Sequence, residues 1–260
     1  RPAPTLGQDN QEVLQEGLGY FQSDPKVMVK GNGQRGPSNS PINSRHATIS
    51  AVTETSLPPL QSGNPNLPLD GVRIIDLTLV AVGPYATMFL GDMGAEVIRV
   101  EPIHFLPTGG RGQQARPSKE AEAIAATSPY PNRDPGERPW NSVANRNALL
   151  RNKYSMTSNI TTPEGKDVFR RLVEVSDILI ENNVPGSMER LGLTYPVVSQ
   201  WNPRLIMISS TGTGQEGPWS VLRGTGGFFE AFYGHASVMG YPDMGPEGAP
   251  GGVASDAAGG

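Results

Sequence analysis

Between residues 72 and 211, short and nearly unbroken apolar runs alternate with segments of helical period, and this alternation constrains the fold more than any other feature. VRIIDLT (72–78), AEVIRVE (95–101), DILIEN (177–182) and LIMISST (205–211) are apolar on successive residues. They are too short for buried helices, so each fits a strand covered on both faces. GPYATMFLGDMG (83–94) places Pro84 in the first turn of a helix, and TPEGKDVFRRLVEVS (162–176) gathers Phe169, Leu172 and Val173 on one helical face. SMERLGL (187–193) opens a further short helix. Four strands joined through helices require right-handed crossovers, hence an α/β domain with a parallel sheet and helices on both faces, expected over residues 68–260.

The chain has 260 residues and a formal charge of −4, so nothing in its charge calls for a nucleic acid partner. With 32 glycines and 25 prolines against 36% apolar residues, much of it is expected to be loop. Residues 23–67, with GNGQRGPSNSPINSR and LPPLQSGNPNLP, have no apolar period and too little apolar surface to offset chain entropy; they read as a flexible, disordered linker. Residues 103–147, rich in Pro, Gly and Ser, read as an irregular insertion. Ahead of the linker, NQEVLQEGLGY (10–20) spaces Val13, Leu14 and Leu18 as a short helix, with Asp9 and Asn10 as candidate caps. Arg1 in place of a Met and the closing Gly-Gly suggest a segment of a longer chain.

Zero cysteines remove disulfides, thiolate zinc sites and thiol nucleophiles, and three scattered histidines (His46, His104, His235) make a poor metal set; no metal is expected. No apolar run approaches the roughly 18 residues of a membrane span. The expectation is a cytoplasmic protein with no membrane partner, a mitochondrial or peroxisomal address standing behind it.

In an open α/β sheet, ligands sit beyond the carboxyl ends of the strands. Those positions are Thr78 to Pro84, Glu101, Glu181 to Asn183, and Thr211 to Gly214. Glu101 could hold a ribose diol, but the first turn lacks G-x-G-x-x-G. GTGQEGP (212–218) lacks the Lys-Ser/Thr of a P-loop and reads as a plain turn. FFEAFYGHASVMG (228–240) reads as a buried helix in which His235 is a satisfied structural residue, while Glu230 must be paired or protonated. Asp256, among the small residues of GGVASDAAGG, would by spacing alone be a turn residue.

The segments LPLDGVRIIDLTLVAVGPYATMFLGDMGAEVIRVE, RNKYSM with TTPEGKDVFRRLVEVSDILIENNVPGSMERLGL, and NPRLIMISSTGTGQEGPW closely resemble the class III CoA-transferases, the group of L-carnitine dehydratase and bile-acid-inducible protein F. The resemblance runs in order from Leu67 to Gly260. It implies the amino-terminal half of a Rossmann-like large domain and two subunits interlocked as rings, or the equivalent within a tandem repeat. It implies that Asp256 is the catalytic nucleophile and that Ala81, Val82, Asn182 and Arg190 contact coenzyme A. Acyl-CoA and a carboxylic acid acceptor would be the substrates, with no permanently bound cofactor. Pro102 and Thr157-Ser158-Asn159 depart from the family pattern. Residues 1–22 resemble the carboxyl-terminal tail of the same family, as if one repeat ended there.

Two other functions compete with CoA transfer. An α-methylacyl-CoA racemase, or related isomerase, needs a second proton carrier opposite the aspartate, and Thr225 stands where that group's racemases place a histidine. A non-catalytic CoA-binding half of a tandem protein is the other.

Overall fold

The computed structural model describes residues 2–18, 65–102, 130, 134, 136–240, 243 and 259. The core is a five-stranded, wholly parallel sheet in the order β3-β2-β1-β4-β5, formed by β1 (Arg73–Asp76), β2 (Glu96–Glu101), β3 (Lys153–Thr157), β4 (Ile178–Glu181) and β5 (Ile206–Ser209). The chain runs outward from β1 through β2 to β3 and then returns to the other side of β1. The loops after β1 and β4 therefore diverge at a topological switch point.

One face of the sheet packs Ile75, Ile98, Met156 and Leu179 against Phe169, Leu172 and Val173 of α3 (Pro163–Glu174) and Val198 of α5 (Tyr195–Trp201). Leu90 of α1 (Val82–Asp92) covers Ile74, Val97 and Ile180 on the other face. Between α3 and α5 lies the short α4 (Ser187–Leu191). The expected two-sided burial is plain in β1, where all four residues are buried, and fails at β5, the sheet's last strand, where Ile206 and Ile208 are 57% and 43% exposed.

β3 is a fifth strand where four were expected. KYSMT offers no apolar run, because its polar side chains are buried by pairing: Lys153 with Asp76, and Ser155 with Glu101. It is preceded by α2 (Ala144–Leu149), which begins inside the stretch expected to be irregular. The expected linker, apart from residues 65–67, and residues 103–129 of the expected insertion lie outside the described residues.

The amino-terminal segment docks on β3. Glu12–Gly17 forms a π-helical turn, and Val13, Leu14 and Leu18 enter the core. Asp9 and Asn10 tie this segment to β3 through their side chains. Asp9 accepts from the Ser155 N–H at 2.7 Å, and the Asn10 amide takes the Thr157 N–H at 2.7 Å while donating to Thr157 Oγ1 at 2.7 Å. The edge strand thus finds partners for polar groups that would otherwise face solvent.

The aromatic helix differs from expectation. In α6 (Gly226–Phe232), Phe228 and Phe232 are 42% and 38% exposed, and Tyr233 beyond it 56%. The rings stack on one another, Phe228 on Phe232 and Phe229 on Tyr233 at 5.7 Å each, and the helix packs on the following turn His235–Ser237. Ring periodicity in the sequence fixes a helix face but not what covers it.

Candidate active site at the switch point

The loop after β1 is held from below by a buried charge network. Asp76 accepts from Thr78 N at 2.8 Å, Thr78 Oγ1 at 2.5 Å, Thr87 Oγ1 at 2.9 Å and Lys153 Nζ at 3.0 Å. Burial would raise its pKa, but the charges of Lys153 and Arg99 and the Thr78 hydrogen bonds outweigh that and hold the carboxyl far below its usual range. Lys153 is pulled down to about 8 by burial, with Asp76 working in the opposite direction. Arg99 pairs with both Asp76 and Glu101 and donates to the Thr78 carbonyl at 2.9 Å. Glu101 is committed to Arg99 and Ser155, which removes it as a ribose ligand.

Above this network the loop crosses to β4. The Asn182 side chain spans the switch point, accepting from Leu79 N at 2.6 Å and donating to Leu79 O at 2.8 Å. Glu181 accepts from Asn183 N at 2.7 Å and so shapes the turn after β4. A Cβ on Gly83 would lie 2.5 Å from Thr78 Cβ and 3.1 Å from Asn182 Cγ. The bare α-carbon of Gly83 thus serves this internal approach.

A cavity of about 290 Å³ opens at this point, lined by Val80 and Val82 from the first loop, Asn182 to Pro185 from the second, Ser210 to Thr213 after β5, and Phe229 and Tyr233 of the aromatic segment. Arg223 is the one charged residue lining it among the described residues, and it has no ion-pair partner there. Gly259 also borders the cavity, beside Val82.

Of the expected site residues, Val82 and Asn182 line this cavity, and Ala81 stands between Val80 and Val82 as the N-cap residue of α1. Arg190, exposed on α4, donates to Ser187 Oγ at 2.9 Å and does not line the cavity. Asp256 lies outside the described residues. Glu230 is buried and paired with His235, as its apolar surroundings required. The sequence reading missed Arg146, whose guanidinium reaches the Val80 carbonyl from α2. Its signal was hidden because the two partners are 66 positions apart and the chain between them includes the stretch read as irregular. Among the described residues, no cluster of acidic, His or Cys side chains could hold a metal, and no helix is long and apolar enough to cross a membrane.

Fold and cavity together define a doubly wound α/β protein with an open cavity at the carboxyl ends of its strands. Residues 69–260 match the family described as CoA-transferase family III. The chain belongs to that family. It is 36% identical over 191 residues to the succinyl-CoA–L-malate CoA-transferase alpha subunit of Chloroflexus aurantiacus, covering 71% of this chain and 38% of that protein. Against the succinyl-CoA:glutarate CoA-transferase of Homo sapiens the identity is 37%, covering 74% and 38%. A CaiB/BaiF family protein from Brucella suis has a similar structure, with a TM-score of 0.59 and 32% identity over 74% of this chain and 45% of that one. A protein of Mycobacterium tuberculosis gives a TM-score of 0.56 at 31% identity, covering 75% and 48%. The chain thus spans less than half the length of these relatives.

Proposed function

We propose that the protein carries the nucleophile-bearing part of a CoA-transferase that moves CoA from an acyl-CoA thioester to a free carboxylic acid, with Asp256 as the nucleophile. The observation that carries this reading is the position of Gly259, three residues beyond Asp256, on the cavity wall against Val82. The family membership and the switch-point location support it. Named relatives transfer CoA among succinate, malate and glutarate, and Arg223, the one cation lining the cavity among the described residues, suits anionic substrates.

The chemistry balances without a metal or redox partner. A carboxylate oxygen of Asp256 attacks the thioester carbonyl, the tetrahedral adduct expels CoA thiolate, and a mixed anhydride remains. The thiolate then attacks the aspartyl carbonyl, releasing the donor as its carboxylate and leaving an aspartyl-CoA thioester. The acceptor carboxylate displaces CoA to give a second anhydride, and return of the thiolate to the acceptor's acyl carbon yields the new thioester and frees Asp256. Each adduct develops an oxyanion that backbone N–H donors would stabilise.

Racemisation is the weaker reading, since Thr225 on the cavity wall offers a hydroxyl of high pKa where a second proton carrier is needed. The test uses the full-length protein with succinyl-CoA and glutarate. Wild type is expected to form glutaryl-CoA and to yield, after hydroxylamine, a modified peptide containing Asp256. Asp256→Asn is expected to lose transfer by at least about 10³-fold. Transfer at the wild-type rate in Asp256→Asn would remove the assignment, as would α-proton exchange without any acceptor acid.

A further inference from the structure

Val80 is β-branched yet adopts φ +62° in the left-handed region, a conformation that is strained for a residue of this shape and persists only where its surroundings impose it. Its own side chain does not supply that support, being 42% exposed on the cavity wall. The support comes from the backbone on either side. Asn182 takes both the N–H and the carbonyl of Leu79, at 2.6 and 2.8 Å, and Arg146 donates to the carbonyl of Val80 itself. Thr78 is fixed in turn by Asp76 through its N–H and by Arg99 through its carbonyl.

From Thr78 to Val80, then, every carbonyl is gripped by a side chain from a distant element. No described residue accepts from the N–H groups of Val80, Ala81 or Val82. Among the described residues, the clamp thus leaves the N–H groups of Val80, Ala81 and Val82 uncommitted while fixing the carbonyls of Thr78, Leu79 and Val80. An amide is suited to the Asn182 position because it presents an acceptor and a donor to one peptide unit, as a neighbouring strand would.

We infer that Asn182, assisted by Arg146, is a positioning residue that holds Val80 in its left-handed conformation and so presets the substrate-facing loop. The CoA contact first expected of Asn182 becomes an indirect one. This inference rests on the proposed CoA-transfer site for its function, but the clamp itself does not.

The experiment separates a clamp from a direct contact through strain relief, in the full-length protein. Val80→Gly removes both the side chain and the strain, whereas Val80→Ala removes the side chain and keeps most of the strain. Asn182→Ala is expected to lower kcat/KM for CoA transfer by about tenfold or more, the factor expected when a strained loop is released. Combined with Val80→Gly, the Asn182→Ala loss is expected to shrink to within about threefold, and with Val80→Ala to persist. Equal losses in the two combinations would mean a direct contact and overturn the proposal, as would no loss in Asn182→Ala alone.

Amide hydrogen exchange at Thr78 and Leu79, whose N–H groups are bonded, supplies in ligand-free protein the readout that needs no activity. Asn182→Ala is expected to speed it by about tenfold while core strands stay protected. Faster exchange in a protein whose wild type transfers no CoA would sustain the clamp and sink the functional reading. Unchanged exchange would sink the clamp whatever the activity.

Discussion

Asp76 is fully buried between Lys153, Arg99, Thr78 and Thr87, and its charge can be tested through pH. Its carboxyl is held well below the 3.8 of an ordinary aspartate, so the folded state favours the ionised form. The stabilisation is complete above about pH 4 to 5 and is lost as pH falls below the ordinary value, where the unfolded chain takes up the proton first. Urea midpoints measured from pH 7 down to pH 3 should therefore fall in the wild type. Asp76→Asn should be weaker at pH 7 and show a shallower acid slope. At Gly83 a methyl group would meet Thr78 Cβ at 2.5 Å. Gly83→Ala is expected to cost about 1–3 kcal/mol, read as a lower thermal midpoint together with impaired transfer, since the displaced atoms belong to the clamped loop. Neither effect could be read from the sequence. Asp76 ends an apolar strand and Gly83 opens a helix, and besides Thr78 and Thr87 their surroundings are brought in from β2, β3 and the turn after β4.

Among the elements, α3 shows local sequence and local structure in agreement. Thr162 caps it by accepting from Gly165 N at 3.1 Å, Pro163 occupies the first turn, and Val168, Phe169, Leu172 and Val173 form the buried face. Gly165 was not singled out from sequence, yet a Cβ there would fall 1.9 Å from the Asn159 carbonyl oxygen. Thr162→Ala is expected to cost about 1 kcal/mol, and thermal unfolding should place Gly165→Ala well below it. The amino-terminal segment shows the opposite. Its apolar spacing was legible, its destination was not, because Asp9 and Asn10 pair with the backbone and side chains of a strand some 146 residues away. Leu14 is 3% exposed, so Leu14→Ala should destabilise by about 2–5 kcal/mol. If its denaturation midpoint matches the wild type, the docking is not part of the folded core. β3 escaped detection for a related reason: a strand whose polar residues are neutralised by other elements looks, in sequence, like a loop.

At the scale of the whole molecule, the parallel sheet places the ends of β1, β4 and β5 around one cavity, in a chain that spans less than half the length of its named relatives. Ligand binding to the native state raises its stability by mass action. Saturation of the full-length protein with CoA at about 100 times its dissociation constant should add about 2.7 kcal/mol. For a domain of about 150–250 residues this is a rise of about 5–10 °C in thermal midpoint. NAD, which lacks the pantetheine arm, should produce no comparable rise. A shift with NAD equal to that with CoA would count against the CoA reading and return the site to a general nucleotide pocket.

The sequence by itself determined the α/β class, four of the five strands, the helices α1, α3 and α4 and the family, because apolar period and capping residues act over a few neighbours. The tertiary structure alone decided that polar β3 completes the sheet, that residues 2–18 dock on it, and that Asn182 grips Leu79. Those outcomes depend on burying and pairing polar groups contributed by distant parts of the chain, and the energy of such a group is set by its partner, which no local pattern records.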